Sequence, residues 1–150
     1  MQRLLRTIAV ALVAFVAGFA TAHRTAPVQA AATPIVPQSI DLAALTPQDL
    51  PAPATATSTT RSKVLVNADG MTLGVQIGPT PRHYHADANE FQYVVDGTGT
   101  EWLGDTLVTL KPGTLLIIPK GTPHGGLSDH VKLIAIKTPP QAPDDTHLIK

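Results

Sequence analysis

From Arg61 onward the chain is written in short apolar runs closed by turn residues, and this punctuation limits the fold more than any other feature. The runs are Lys63 to Asn67, Met71 to Ile77, Glu90 to Val95, Thr98 to Leu103, Thr106 to Leu110, Thr114 to Ile118 and Val131 to Lys137. Each is rich in Val, Ile, Leu, Thr or aromatics, and none carries a sustained helical period. Gly104-Asp105 suits a two-residue hairpin with glycine at the first central position. Pro112-Gly113 suits a type II turn, in which proline fixes the first central residue and glycine takes the positive φ of the second. Seven strands in fewer than ninety residues predict an all-β domain, a small antiparallel sandwich or barrel. Tyr84, Phe91, Tyr93 and Trp102 are the aromatics of this region, so its core is expected to be mainly aliphatic.

The preceding sequence has a different character. Arg3 and Arg6 are followed by an uncharged apolar run from Ile8 to Phe19 and then by Ala20-Thr21-Ala22. That is the order of a secretory signal peptide. A membrane anchor would share these flanks, but an apolar run of about a dozen residues is short of the roughly twenty that cross a bilayer. The expectation is export to the periplasm or beyond, with residues 1–22 removed; membrane contact is expected only through this segment if it is retained. Residues 23–60 scatter Pro27, Pro34, Pro37, Pro47, Pro51 and Pro53 through alanine and threonine, the composition of an extended linker. Within it, Ser39 reads as a helix N-cap and Thr46 precedes Pro47 at a first helical position, so short helical turns either dock on the domain or stay disordered. The barrel is expected over 61–138, with a C-terminal tail over 139–150.

Export normally invites disulfides, yet the chain has no cysteine. Any metal site must use nitrogen and oxygen ligands, which excludes thiolate zinc sites, haem attachment through cysteine and thiol nucleophiles. Of 11 Lys plus Arg, Arg3 and Arg6 leave with the signal, so nine remain against 11 Asp plus Glu, a net charge of about −2. Such a near-neutral surface with no basic run argues against nucleic acid as a partner.

His83 and His85 stand at alternate positions in "HYHADANE". In an extended segment their side chains share a face, with Cα atoms roughly 6.5 to 7 Å apart, so both imidazoles can converge on one point. The small polar residues 86–89 form a turn, and Glu90 opens the next strand, from which its carboxylate can reach the same point. Gln92 and Val94 share the face of Glu90, so Gln92 either orients a ligand or metal-bound water or is a polar residue hydrogen-bonded within the barrel. A second polar group lies in "GTLLIIPKGTPHGG", which ends on His124.

With these two stretches together the chain resembles a cupin. The family's first motif is a glycine, H-x-H, three or four residues, a glutamate, six residues and a glycine. His83, His85, Glu90 and Gly97 fit it. Its second motif, a glycine, five residues, P-x-G, two residues, a histidine, three residues and an asparagine, is met by Gly113, Pro119, Gly121 and His124. Gly78 lies one residue closer to His83 than the pattern asks, and Ser128 stands where the asparagine would be. The short spacer from Thr98 to Pro112 is similar to that of compact bacterial single-domain cupins, and the resemblance covers roughly residues 63 to 138.

The resemblance implies a jelly-roll (double-stranded β-helix) barrel in which His83, His85, Glu90 and His124 hold one divalent transition metal. Three imidazoles and one carboxylate suit Mn, Fe, Co, Ni, Cu or Zn and leave one or two positions for water or substrate. The expected function is a metal-dependent enzyme acting on a small oxygen-bearing substrate, of dioxygenase, isomerase, decarboxylase or lyase type, with Glu90 doubling as a proton acceptor. The alternative is a non-catalytic module that binds a metal or small ligand, and a homodimer is compatible with either. Tyr84 is expected to pack outward and Arg82 to stand near the barrel mouth. His130, His147 and His23 have no motif around them.

Overall fold

The computed structural model describes residues 35–53 and 58–149. The expected signal segment, His23 and the rest of residues 1–34 lie outside the described residues. Among the described residues ten strands run in chain order: β1 (Arg61–Ala68), β2 (Met71–Ile77), β3 (His83–Tyr84), β4 (Asn89–Asp96), β5 (Gly99–Leu103), β6 (Thr106–Leu110), β7 (Leu115–Ile118), β8 (His124–Gly126), β9 (Lys132–Thr138) and β10 (His147–Leu148). They form two five-stranded sheets, ordered β1-β2-β9-β4-β7 and β10-β3-β8-β5-β6. Every pairing is antiparallel. This is the jelly-roll barrel expected from the sequence.

Period-two alternation builds the interior. Along β7, Leu116 and Ile118 are buried while Leu115 and Ile117 face out, and β4 buries Glu90, Gln92 and Val94. Val94, Leu110, Leu116, Ile118, Val131, Leu133 and Ala135 form the inner core, which is aliphatic as expected. Gly104, at φ +60°, closes the two-residue hairpin between the paired Leu103 and Thr106. Gly113, at φ +87°, takes the second central position after Pro112.

Part of the region read as a linker docks on the domain, one of the two outcomes expected for its short turns: Leu50 is buried against Val75 and Ile77, with Leu42, Leu45 and Leu65 beside them. A 3₁₀ turn at Pro47–Asp49 follows Thr46 as its N-cap, and Asp49 accepts from the Thr46 N–H at 2.8 Å. The turn before it is capped by Asp41, which accepts from the Ala43 and Ala44 N–H groups, and not by Ser39. Lys132 fixes the arm by donating to the carbonyls of Leu42 and Ala43 at 3.0 and 2.9 Å. The expected C-terminal tail also belongs to the barrel, because β10 pairs with β3 and Asp145 is buried beneath the 86–88 turn. No helix among the described residues is long and apolar enough to cross a membrane.

Candidate metal centre

β3 and β8 carry the histidines, with His83 directly opposite His124 in the second sheet. His85 lies just beyond β3, and Glu90 enters from the first sheet at the start of β4. All four are buried, and one ligand atom from each lies within 4.8 Å of the others. Ligands held about 2.0–2.2 Å from one ion stand roughly 3–4 Å apart, so this cluster is only slightly wider than a closed site.

The ring orientations are fixed from behind. Nδ1–H of His83 donates to the Pro81 carbonyl at 2.8 Å, and that of His124 to the Thr122 carbonyl at 2.9 Å. His85 Nδ1–H donates to the Asp145 carbonyl. A carbonyl can only accept, so each Nδ1 carries the proton and each Nε2 is left facing inward. Asp145 also accepts from the N–H groups of Ala86, Asp87 and Ala88, tying the turn between the histidines and Glu90 to the C-terminal segment.

This arrangement fits a metal. Nε2 of His85 and of His124 lie 2.9 and 3.2 Å from the same Glu90 oxygen, Oε2. In the neutral tautomer those nitrogens present lone pairs, which a carboxylate oxygen repels unless a cation stands between them. The cation is either an added proton on each ring or one shared metal ion. Burial drives the His83 pKa down to about 4, with the nearby His124 adding to the shift, so His83 is a neutral imidazole at neutral pH. For His124, burial opposes the charged form but the hydrogen bond and charge of Glu90 outweigh it and raise the pKa. Burial likewise resists ionisation of Glu90, yet hydrogen bonds from His124 and His85 and the charge of Lys137 hold it well below the usual carboxylate range. A carboxylate held in its ionised form offers its oxygens as acceptors and as metal-binding atoms.

Gln92 is buried on the inner face and donates to Glu90 Oε1 at 3.0 Å. Its own Oε1 has no hydrogen-bond partner. The residue that sequence reasoning missed is Glu101 on β5, which is 1% exposed. Burial pushes its pKa up to about 7; His124 pulls it down, Glu90 pushes it up, and Gln92 lies within hydrogen-bonding reach. Its only sequence signal is an acidic residue in the middle of a strand.

The remaining candidates fall outside the cluster. Arg82 stacks over Trp102 at 5.1 Å and donates to Gly104 O at 2.6 Å and to the exposed Asp105 at 3.0 Å, so it closes a hairpin. Tyr84 stacks on His147 with ring centroids 4.8 Å apart. His130 contributes its backbone at the 128–131 turn. The two departures from the motif are absorbed locally: Gly78 takes φ +101°, and Ser128 donates to Thr98 O at 3.1 Å.

Residues 72–136 match the family model described as "Cupin domain". Among solved structures, a variant of Streptomyces PAC13 with uridine is similar over 70% of this chain and 88% of its own, at 15% identity and a TM-score of 0.58. An uncharacterised Klebsiella pneumoniae protein with a double-stranded β-helix domain covers 71% of this chain and 96% of its own, at 16% identity and TM-score 0.56. KdgF from Halomonas sp. covers 57% and 84%, at 20% identity and TM-score 0.52. At these identities the likeness is one of fold. No curated protein matches the chain.

Proposed function

Because the domain match and the fold neighbours support the cupin superfamily for this barrel, we propose that the chain is an exported metal-binding cupin that acts as an enzyme on a small oxygen-bearing substrate. One observation carries the reading: three imidazoles, each tied through Nδ1 to a main-chain carbonyl, are turned toward the same carboxylate. Bound there, a divalent metal supplies a Lewis-acid or redox centre with one or two positions for substrate. His83, His85, Glu90 and His124 hold it, and Gln92 fixes the Glu90 carboxylate. Glu101 faces the same interior and is the group placed to exchange a proton near neutrality. Manganese, iron, cobalt, nickel, copper and zinc all suit the donors; export favours zinc or copper, which such ligands bind more tightly.

An enzymatic role also accords with the fold, since one solved neighbour is described as a nucleoside dehydratase. The test is turnover by the mature protein loaded with each metal and after chelation, using oxygen uptake and a panel of small hydroxy and oxo acids. Metal-dependent turnover supports the enzyme. Full metal occupancy with no turnover supports a non-catalytic binding module, and no binding of any metal removes both readings.

A further inference from the structure

Cross-strand partners share a face of a sheet, so the pairing of β1, β2 and β9 places Ser62, Gln76 and Thr72 on the concave side with Leu133, Ala135 and Lys137. A cavity of about 150 Å³ opens on this side, lined among others by Ser62, Thr72, Gly74, Gln76, Lys137 and Gln141. Gly74 contributes no side chain to its wall. Lys137 lies directly opposite Glu90 across β9 and β4, with Nζ 3.8 Å from Glu90 Oε2. Of the two lysines on the cavity wall, Lys63 and Lys137, it is Lys137 that also borders the His83, His85, Glu90 and His124 cluster.

The state of that ammonium is unusual. Its side chain is 18% exposed, and its one hydrogen bond among the described residues goes to Gln141 Oε1 at 2.6 Å. An ammonium carries three donors, so two are available. Its nearest counter-charge is Glu90, at a distance beyond a hydrogen bond. When Glu90 serves a metal, that negative charge is shared with a dication. Three neutral imidazoles, one carboxylate, one ammonium and one divalent ion then sum to +2; an ionised Glu101 lowers this only to +1. A buried, uncompensated positive charge is costly, and an anion entering beside Lys137 relieves it.

We propose that the substrate is a small carboxylate, with its charged group held by Lys137 in the cavity between β1, β2 and β9 and its adjacent oxygen directed at the His83, His85, Glu90 and His124 cluster. This inference rests on the metal-site reading and deepens it by naming a substrate class. Ser62, Thr72 and Gln76 add polar groups of the kind that orient a compact acid, and about 150 Å³ suits a skeleton of a few carbons.

The test uses cobalt-loaded protein and two matched probe pairs, lactate with lactamide and pyruvate with pyruvamide, followed by the cobalt absorption spectrum and by calorimetry. The expected result is that at least one acid binds the wild type, its amide binds about tenfold or more weakly, and Lys137→Gln removes the difference. Lys137→Arg restores the preference for the acid. Cobalt content is measured on every sample. Loss of cobalt from the wild type would defeat the metal reading itself. Cobalt-loaded wild type that binds neither acid, or binds acid and amide equally, overturns the carboxylate proposal alone, as does an acid preference that survives in a cobalt-loaded Lys137→Gln variant.

Discussion

Glu101 illustrates how far a single residue can be read. In "GTEWL" a glutamate flanked by threonine and tryptophan looks like any outward polar residue of an alternating strand, and only the closure of two sheets places it inside. The structure buries it and raises its pKa from 4.5 to about 7. The folded state then holds a proton that the unfolded state has released over that interval. Stability from this group is complete below about 4.5 and is lost as pH rises through about 7. Glu101→Gln removes the titration, so the metal-stripped variant is expected to gain on wild type between pH 5 and pH 8 by on the order of 2–3 kcal/mol. Urea unfolding of both apoproteins at the two pH values measures it; parallel pH profiles would show that Glu101 is solvated. The histidines were more legible, because alternation alone puts His83 and His85 on one face. What the spacing did not disclose is that hydrogen bonds from His124 and His85 and the charge of Lys137 favour the ionised form of Glu90.

Among the elements, the strands that sequence reading located are the long ones. β2 and β6 have the expected bounds, and the other five expected strands differ from theirs by one or two residues at one or both ends. β3, β8 and β10 have two or three residues each, too few to display a period, and yet β3 and β8 carry three of the four ligands' local frame. β10 escaped for a further reason: it is anchored by Asp145, whose importance lies in a contact some sixty residues away in sequence. Asp145→Ala leaves the Ala86, Asp87 and Ala88 N–H groups without their acceptor and loosens the turn between His85 and Glu90. A loss of about 2–4 kcal/mol in stability is expected, together with a metal affinity lowered about tenfold or more. Denaturant titration and metal competition with a chelator measure the two effects. The motif glycine at 97 is equally physical: it sits at φ +83°, and a Cβ there would stand 1.9 Å from the His130 carbonyl oxygen. Gly97→Ala is therefore expected to cost about 3 kcal/mol or more, or to abolish soluble expression, whereas Gly104→Ala, with open space around its Cβ, pays only the backbone strain.

At the scale of the molecule, the ligand set bridges the two sheets, with Glu90 from one and His83 and His124 from the other. A metal held between them fastens the barrel closed, so binding is expected to stabilise the fold by about 4 kcal/mol at a thousandfold excess over the dissociation constant. Calorimetric melting with and without a chelator reads this as a fall in Tm on metal removal. Barrel class and the members of the buried His83, His85, Glu90 and His124 cluster were legible from strand punctuation and the two motif stretches. The face on which Leu42, Leu45 and Leu50 dock, and the cavity beside Lys137, were not, because both depend on which strands become neighbours across the sheet. The most direct test of the whole account is the metal-to-protein ratio of the mature protein after equilibration with zinc and exhaustive dialysis, compared with His124→Ala. The account predicts one bound ion per chain in the wild type and a large loss in the variant, with the fold retained by circular dichroism. A folded wild type that retains no metal, or a variant that retains as much as wild type, would contradict it.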